Sequence, residues 1–549
     1  MEKGCIFGKF QLVTLSQWGL CAAFIFGMVV GCSPEHYKAE ADEQVYKIID
    51  SKWHDGFGQK VNYTISDVVP SPNDLQFDES TLPSGVISLA QAVAVATANN
   101  RNYQGEKEDL YLSALALTGI RHNYERQWFA TVDGAYVIDD DSADDHEFKL
   151  TSGLNDFETK QDYLLPGGIQ IGTRLAVDWA RYLTGDPRTT LGSVLGASLA
   201  APLLGAGAGK QDWENLVQAE RRVLYDVRSF NRFRKTFVVD VVNAYYEVLQ
   251  ARDRVTNAEN NYKRVLESKE RLEMEAEAGR RSRIDVDEAN QNALRAQDSV
   301  VGAKQSYELS LDNFKIRLAL PTDAEVELDQ NELKALEEMG VDEPGFTLHT
   351  AIETAFLQRL DLANTADGID DKLRKAVLAA EGLGTQLNIT SDIGYESPDH
   401  PETDFQNLRF HEGVYNFGFD ADLPLDRLDK RNTYRIALIA LERQQRQYDR
   451  EVDTLKLEVR DAYRRLQETA ERYRIQKNSL KLAEQRVESN RLLLDAGRVT
   501  VRILLESQDD LLEAQNKLTA ALVEHLNAKL SFFRDVGILQ VRPDGMWEQ

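Results

Sequence analysis

The chain has 549 residues, of which 42% are hydrophobic, enough for a folded protein with more than one domain. Its formal net charge is −26, from 64 basic and 90 acidic residues, and the basic residues are interspersed with acids along the predicted helices. Binding to a nucleic-acid backbone needs clustered Lys and Arg, so this charge pattern argues against nucleic acid as a partner.

The N-terminus carries the pattern of a secretory signal peptide. Lys3 and Lys9 precede an apolar run from Trp18 to Val30, which is shorter than a membrane span requires. The run ends in the letters VVGC, which are similar to a bacterial lipobox whose last residue is Cys32. We therefore predict that residues 1–31 are a signal peptide and that Cys32 becomes an acylated N-terminus. An uncleaved N-terminal anchor helix is the alternative.

The predicted cleavage also accounts for the remaining cysteines and for the segment that follows. Cys5 and Cys21 would leave with the signal peptide, so the mature chain would have neither a free thiol nor a disulfide. Residues 32–84 are acidic, contain Pro-rich turn sequences and show little apolar periodicity. They are predicted to form a lipid-anchored extended tether.

The rest of the chain is an internal duplication. Residues 240–320 align with 458–538 without a gap, and sixteen of the 81 aligned positions are identical. An earlier block aligns at an offset that differs by 41 residues, so the first copy contains an insertion of about that length. The period is far longer than that of a solenoid repeat. The predicted organisation is a first repeat at 85–325, a linker at 326–345, a second repeat at 346–540 and a tail at 541–549.

The back half of each repeat is predicted to be a long helical hairpin. Apolar residues recur every three or four positions along 211–278 and 432–496, with charged residues at the flanks, as in coiled coils. At 1.5 Å per residue each helix would reach roughly 100 Å. Gly279 and Gly497 follow these helices in register, and glycine suits a helix end because it takes positive φ readily. We predict that each marks a turn where the chain reverses.

The front half of each repeat is predicted to hold two strands. Residues 386–396 and 413–423 alternate with period two, so that one face is almost wholly polar and the other mainly apolar, and 129–139 and 191–201 do so less regularly. Eleven residues of such alternation fit a strand of a membrane barrel, although a soluble antiparallel sheet shows the same pattern. The inserted residues could form a further hairpin or an extracellular loop.

Four membrane strands per chain would require an oligomer. The smallest membrane barrels have eight strands, and an open sheet edge in lipid leaves backbone groups unpaired. Three chains would supply twelve strands. The predicted fold class is therefore α+β, mainly α, with a twelve-stranded barrel shared by a trimer.

Catalytic and metal-binding patterns are not apparent in the sequence. The glycines at 205–209 lack the Gly-Lys-Ser/Thr of a phosphate loop, and the eight histidines form no His-x-x-x-His pair. Of the five methionines, Met1 and Met28 lie in the predicted signal peptide, so no thioether ladder for copper remains. We expect neither an enzyme nor a cofactor nor a metal site.

Taken in order, these features resemble the TolC-type outer membrane efflux protein family, in its lipoprotein subgroup. The resemblance spans residues 85–540 and is carried by five short sequences: AGRRSRIDVDEA at 278–289, AGRVTVRILLES at 496–507, NAYYEVL at 243–249, DAYRRL at 461–466, and LAAPLLGAGAGK at 199–210 with its counterpart ADLPLDR. It implies a homotrimer in the outer membrane, with a helical tunnel that crosses the periplasm to a periplasmic adaptor and an inner-membrane pump. The function implied is a passive, gated export duct in a tripartite efflux or type I secretion system.

The resemblance also implies roles for the turn residues. Gly279, Arg280, Gly497 and Arg498 would form the periplasmic tip that contacts the adaptor and closes the tunnel. Asp285 stands where family members often place an inward Asp, and Glu506 is the remaining one of a usual pair of acids after the second turn. These two carboxylates are the candidate gate-lining residues.

A structural role is the competing hypothesis. A lipoprotein with long coiled coils could tether the outer membrane to the cell wall or to another envelope protein. The polar strand faces distinguish the two, because a tether needs no water-filled barrel.

Overall fold

The computed structural model describes residues 33–54, 57, 60, 63–65, 85–131, 135–138, 148–151, 158–165, 169–182, 189–204, 208–341, 345, 347–396, 411–423, 425–542 and 547–548. The predicted signal peptide and Cys32 lie outside the described residues, as does most of the tether after Lys52. None of the helices in the described part of the chain combines the length and the apolar composition that a membrane span requires.

The described residues before Trp53 form a unit of their own. This unit contains one helix, α1, at Pro34–Lys52. The prediction of an extended tether is therefore wrong for these nineteen residues. Ala, Glu, Gln and Lys, which have high helix propensity, make up nine of the nineteen residues, and this propensity outweighs the acidity and weak periodicity on which the prediction rested.

The second unit contains both repeats. The first repeat holds β1 Val86–Ile87, α2 Leu89–Asn99, α3 Arg101–His122, β2 Gln127–Thr131, β3 Ala135–Ile138, β4 Phe148–Thr151, β5 Glu158–Leu165, β6 Ile169–Tyr182, β7 Thr189–Leu204, α4 Ala208–Glu277 and α5 Arg283–Arg317. Between the repeats and in the second one lie β8 Glu327–Leu328, α6 Asn331–Met339, α7 Leu348–Gln358, α8 Leu360–Glu381, β9 Gln386–Glu396, β10 Val414–Asp422, α9 Leu428–Asp495, α10 Val501–Val536, β11 Gln540–Val541 and β12 Trp547–Glu548. The predicted class, α+β and mainly α with two tandem repeats, is confirmed.

Eight described strands, β2 to β7 from the first repeat and β9 and β10 from the second, join in one antiparallel sheet. Its order is β10-β9-β7-β6, and the long strand β6 then pairs with β5 along one half and with β4 at its other end. β2 pairs with β5, and β3 pairs with β4. Of the described strands, the second repeat contributes two to this sheet, as predicted, but the first contributes six, so the prediction of two is wrong there. Three of the additional strands, β4, β5 and β6, come from the insertion, and the fourth arises because both β2 and β3 overlap the strand predicted at 129–139.

The segments predicted as linker and tail are partly folded. β8 and α6 occupy the linker, and β8 pairs in parallel with β1 at the start of the first repeat. In the tail, β12 pairs back on β11.

The long helices pack side by side as two hairpins. We call α4 with α5 the first hairpin and α9 with α10 the second hairpin. Their seams are small and apolar: Val265 packs with Ala293 and Ala296 in the first, and Ala483 packs with Leu511 and Ala514 in the second. α10 also packs on α4, so the lateral order is α5-α4-α10-α9 and the outer helices are α5 and α9.

Nearer the sheet, an ion-pair ladder joins the two repeats. α4 carries most of the cations and α8 most of the acids, and the partners step along the two antiparallel helices. The pairs are Lys210–Glu381 at 2.8 Å, Arg374–Glu214 at 3.0 Å, Arg221–Asp371 at 2.6 Å, Arg228–Asp367 at 2.6 Å and Arg232–Asp361 at 2.7 Å. Opposite charges at successive turns fix the register of α8 on α4.

Candidate functional site at the two helix turns

The first turn, residues 278–282, ends α4 with a Schellman motif. Gly279 has a φ of +70°, and its N–H donates to the carbonyl oxygen of Ala276 at 2.9 Å. The N–H of Arg280 donates to the carbonyl oxygen of Glu275 at 2.8 Å. This pair of bonds closes a helix through one left-handed residue, which is usually glycine. The side chain of Ser282 then caps α5 by accepting from the N–H of Ile284.

The second turn, residues 496–500, repeats this geometry. Gly497 also has a φ of +70° and donates to Leu494 at 3.0 Å, while Arg498 donates to Leu493 at 2.9 Å. The turns predicted at the two glycines are thus confirmed. Their role in a tip or gate stays a prediction.

The two turns lie together at the ends of the two hairpins. A single buried apolar cluster takes residues from all four long helices: Leu272, Ala289, Leu494, Val501, Leu504 and Leu505. Because these side chains exclude water jointly, the ends of the two hairpins are held side by side within one copy.

A basic side chain reinforces this contact from the first turn. Arg281 donates through Nε to Glu275 at 2.9 Å and through Nη2 to the carbonyl oxygen of Leu494 at 2.9 Å. The hydrogen bond from Arg281, together with the charges of Arg281 and Arg271, holds the pKa of Glu275 below its usual value. Arg271 in turn pairs with Asp495 at the end of α9. Two arginines of the first repeat therefore contact the last turn of α9.

The predicted site residues have different surroundings. Arg280 and Arg498 are exposed beside their glycines. Asp285 is half-buried in the first turn of α5, whereas Glu506 is exposed on α10. The structure brings the two turns together without giving these two carboxylates equivalent positions.

A cation that the sequence analysis did not single out lies close to Glu506. Arg502 donates to Glu288 at 2.6 Å, linking α10 to α5. The hydrogen bond and charge of Glu288, and then the charge of Glu506, raise the pKa of Arg502 above its usual value. The negative charge near the turns is therefore partly neutralised in one copy.

Comparison of the repeats could not have found these arginines. Arg281 aligns with Val499, and Arg502 aligns with Ile284, so neither is shared by the two copies. The signal that was available is simpler: both lie within five residues of a turn glycine.

The far end of the hairpins is the sheet, and its two faces differ in polarity. One row across four strands consists of Phe417, Ser391, Leu199 and Ile171, and the neighbouring row contains Phe419, Ile389 and Ala201. Side chains paired across strands share a face. On this face Phe417 is 77% exposed and Phe419 is 79% exposed.

The opposite face is polar or small. Its corresponding rows are Asn416, Asp392, Ser198 and Gly172, and then Gly418, Thr390, Ala200 and Gln170. Aromatic residues exposed on one face and carboxylates and amides on the other are opposite to the arrangement of a soluble sheet over a core. Within the described residues, no three His, Cys, Asp or Glu side chains converge where a metal ion could bind.

Two tandem repeats, each with antiparallel strands followed by a long helical hairpin, define a TolC-like fold. The chain belongs to the outer membrane efflux protein family, whose model matches residues 178–314 and 351–533, more than half of the sequence. Membership makes it an outer membrane efflux protein, located in the outer membrane. A search of curated proteins found no sequence match.

Solved structures of similar fold agree with this assignment. The outer-membrane channel OprN superposes with a TM-score of 0.57 at 14% identity, over 87% of this chain and 96% of that one. The CmeC outer membrane channel of Campylobacter jejuni gives a TM-score of 0.57 at 14% identity, over 88% and 91%. VceC, an outer membrane protein of Vibrio cholerae, gives 0.58 at 12% identity, over 82% and 96%. At these identities the likeness establishes the fold.

Proposed function

We propose that three copies of this chain form a passive, gated export duct. The duct would be the outer-membrane component of a tripartite efflux or type I secretion system. Its strands would close into a twelve-stranded membrane barrel, and its hairpins would reach a periplasmic adaptor and, through it, an inner-membrane pump. Energy for export would come from those partners, so the chain itself moves cargo by gated diffusion.

The two-faced sheet is the observation that supports this proposal best. Exposed Phe417 and Phe419 would cost free energy in water and would be stabilised by lipid. Asp392 and Asp420 on the other face need water, which the inside of a barrel provides. A tether to the cell wall, the competing hypothesis, requires neither face.

The length of the hairpins supports a duct that extends far from the membrane. α4 begins shortly after β7 and runs 70 residues to the first turn, which is roughly 105 Å at 1.5 Å per residue. α9 spans 68 residues, roughly 100 Å, on the way to the second turn. The turns are thus placed to meet a partner at a distance from the sheet.

The turns are the proposed gate and adaptor contact. Gly279 and Gly497 shape the tip, exposed Arg280 and Arg498 are available to an adaptor, and Asp285 with Glu506 would line the opening. The buried apolar cluster at the turns and the hydrogen bond from Arg281 to Leu494 join the two hairpins of one copy. These contacts would favour a closed tip at rest.

Lipid attachment at Cys32 is part of the same proposal. The lipobox-like VVGC is the observation that supports it. Replacing Cys32 with Ser should abolish labelling by a fatty-acid analogue in cells, while Cys21→Ser should leave labelling unchanged. Labelling that persists in Cys32→Ser would contradict the anchor.

Two neighbouring residues of β10 provide the central test. Phe419→Arg puts a charge on the apolar face, at a cost of about 2–4 kcal/mol if it lies at mid-membrane, and should reduce outer-membrane insertion strongly. Asp420→Arg changes the opposite face and should insert normally but shift ion preference toward anions in planar bilayers. Wild-type protein that is monomeric and opens no pores would favour the tether instead.

A further inference from the structure

The eight described strands of the antiparallel sheet occupy only six positions across it. β5 pairs with residues 169–175 of β6, and β4 pairs with residues 181–182 further along the same edge of β6. β4 and β5 therefore share one position. β2 and β3 pair in turn with β5 and β4, so they share the next position. β6, β7, β9 and β10 fill one position each.

The insertion supplies two of the six positions, because it contributes β6 and the strands β4 and β5. The other four positions correspond to two strands in each repeat. Three copies with four positions each give the twelve strands of the proposed barrel. The described sheet therefore has two positions per copy more than that barrel uses.

β6 continues both faces of the sheet. Its sequence IQIGTRLAVDW, residues 169–179, alternates between residues that are apolar or Thr and residues that are polar or small. Leu175 lies on the apolar face, where it pairs with Leu195 of β7. Arg174 lies on the polar face, where it pairs with Gly196. Eleven residues with this alternation are enough for one tilted strand across a membrane.

The apolar face of β6 is poorly suited to water. Ile171 lies in the same row as Phe417, and Ile171 and Leu175 are 39% and 37% exposed. If the insertion folded away from the membrane, these side chains would stay in water. The backbone pairing of β6 with β7, which runs from residue 170 to residue 181, would also be lost. Both effects favour a place for β6 in the membrane wall.

We propose that the insertion forms part of the barrel wall. Six positions in each of three copies then give a barrel of eighteen strands rather than twelve. The diameter of a barrel grows roughly linearly with its strand number, so this barrel is about 1.5 times as wide. Solutes too bulky for a twelve-stranded pore can cross the outer membrane through it. The inference rests on the proposed trimeric duct and changes the number of strands in its wall.

Cysteine labelling on β6 tests whether the insertion lies in the wall. Arg174→Cys faces the bore and Leu175→Cys faces lipid, so a membrane-impermeant maleimide on both sides of proteoliposomes should label Arg174→Cys at least tenfold faster. Leu195→Cys and Gly196→Cys are the matched controls on β7, because they lie beside Leu175 and Arg174 in the same two rows. A Cβ at Gly196 comes no closer than 3.7 Å to another atom, so this substitution should be tolerated. Only protein that runs as a trimer on native gels is compared.

The width of the barrel is a second and direct measurement. End-on electron-microscopy images of the trimer in nanodiscs should show eighteen strands or, at lower resolution, a ring about 1.5 times as wide as one of twelve strands. A twelve-stranded ring overturns the inference and leaves the duct in place.

The labelling outcomes separate this inference from the proposed function. If the two β6 variants are labelled equally while the β7 pair differs, the insertion lies outside the wall and the inference fails, but the duct stands. If the β7 pair is also labelled equally, the sheet does not form a membrane wall. That result, or a monomer that conducts no ions, removes the duct itself.

Discussion

Arg281, in the turn of the first repeat, donates a hydrogen bond to the main-chain oxygen of Leu494 in the last turn of α9, at 2.9 Å. The contact joins residues 213 positions apart in the sequence and connects the two repeats at the end furthest from the sheet. It is also asymmetric, because the equivalent of Arg281 in the second repeat is Val499. A side chain of the first repeat thus binds the end of α9 in the second repeat.

Loss of this contact should loosen the tip without unfolding the protein. Arg281→Ala removes the bonds to Glu275 and Leu494, and we expect a stability loss of only about 1 kcal/mol because the buried apolar cluster remains. Resting conductance in planar bilayers should rise severalfold if these bonds keep the tip closed. Arg283→Ala, two residues further on and exposed, is the control and should conduct like wild type. If Arg281→Ala and its control show equal resting conductance, the bonds of Arg281 do not keep the tip closed.

The turn glycines should be needed for shape more than for stability. A Cβ at Gly279 or Gly497 would meet no atom within 4 Å of the same copy, so the cost comes from the φ of +70° alone, about 1 kcal/mol or more. Gly279→Val and Gly497→Val should therefore assemble in normal yield but lose export or leak at rest. Gly119→Ala, in the exposed interior of α3, should instead be neutral or slightly stabilising. Trimer yield on native gels and cargo export measure the two effects. Normal export by both Val variants would contradict the prediction.

The sequence was most informative where one local rule determines the conformation. Period-two alternation marked residues 386–396, which β9 matches, and a glycine after a long helical pattern marked both turns. The sequence was less informative where contacts between residues far apart in the chain determine the conformation. The bonds of Arg281 depend on how the two hairpins pack, which repeat comparison does not reveal. Of the additional strands in the first repeat, β6 pairs with β7, and β4 and β5 pair with β6, so their arrangement depends on contacts between strands that the sequence pattern does not specify.

The ion-pair ladder should make the joint between the repeats sensitive to acid. Asp371 accepts hydrogen bonds from Tyr225 at 2.8 Å and from Arg374 at 2.7 Å, and it pairs with Arg221. Burial acts to raise the pKa of Asp371, but the hydrogen bonds from Tyr225, a neighbouring Gln and Arg374, with the charge of Arg221, outweigh it and lower the pKa. The stabilisation is therefore complete above the ordinary Asp pKa of about 4 and is lost as the pH falls through the lower folded value.

Thermal unfolding followed by circular dichroism at pH 7 and at pH 3 measures this effect. Asp371→Asn should lower the free energy of unfolding at pH 7 by roughly 1–3 kcal/mol, because Arg221 and Arg374 each lose one of two carboxylate partners and keep Asp367 and Glu214. The stability of this variant should fall less on acidification than that of wild type. Asp370→Asn, on the exposed side of α8, should keep the wild-type pH profile. A wild-type-like profile for Asp371→Asn would show that another group controls acid stability.

The last prediction concerns the charges at the proposed gate, where the structure supplies a control of opposite sign. Carboxylates in a narrow pore attract cations, so Asp285→Ala with Glu506→Ala should leave assembly intact, raise resting conductance and weaken cation preference. Arg502 lies beside Glu506 and donates to Glu288, so it offsets part of that negative charge. Arg502→Ala should therefore strengthen cation preference in the same measurement. Reversal potentials under a salt gradient in planar bilayers give the sign directly, and native gels confirm that each variant still assembles. If all three substitutions leave the reversal potential at its wild-type value, charges at the turns do not line the conducting path, and the gate must lie elsewhere along the hairpins.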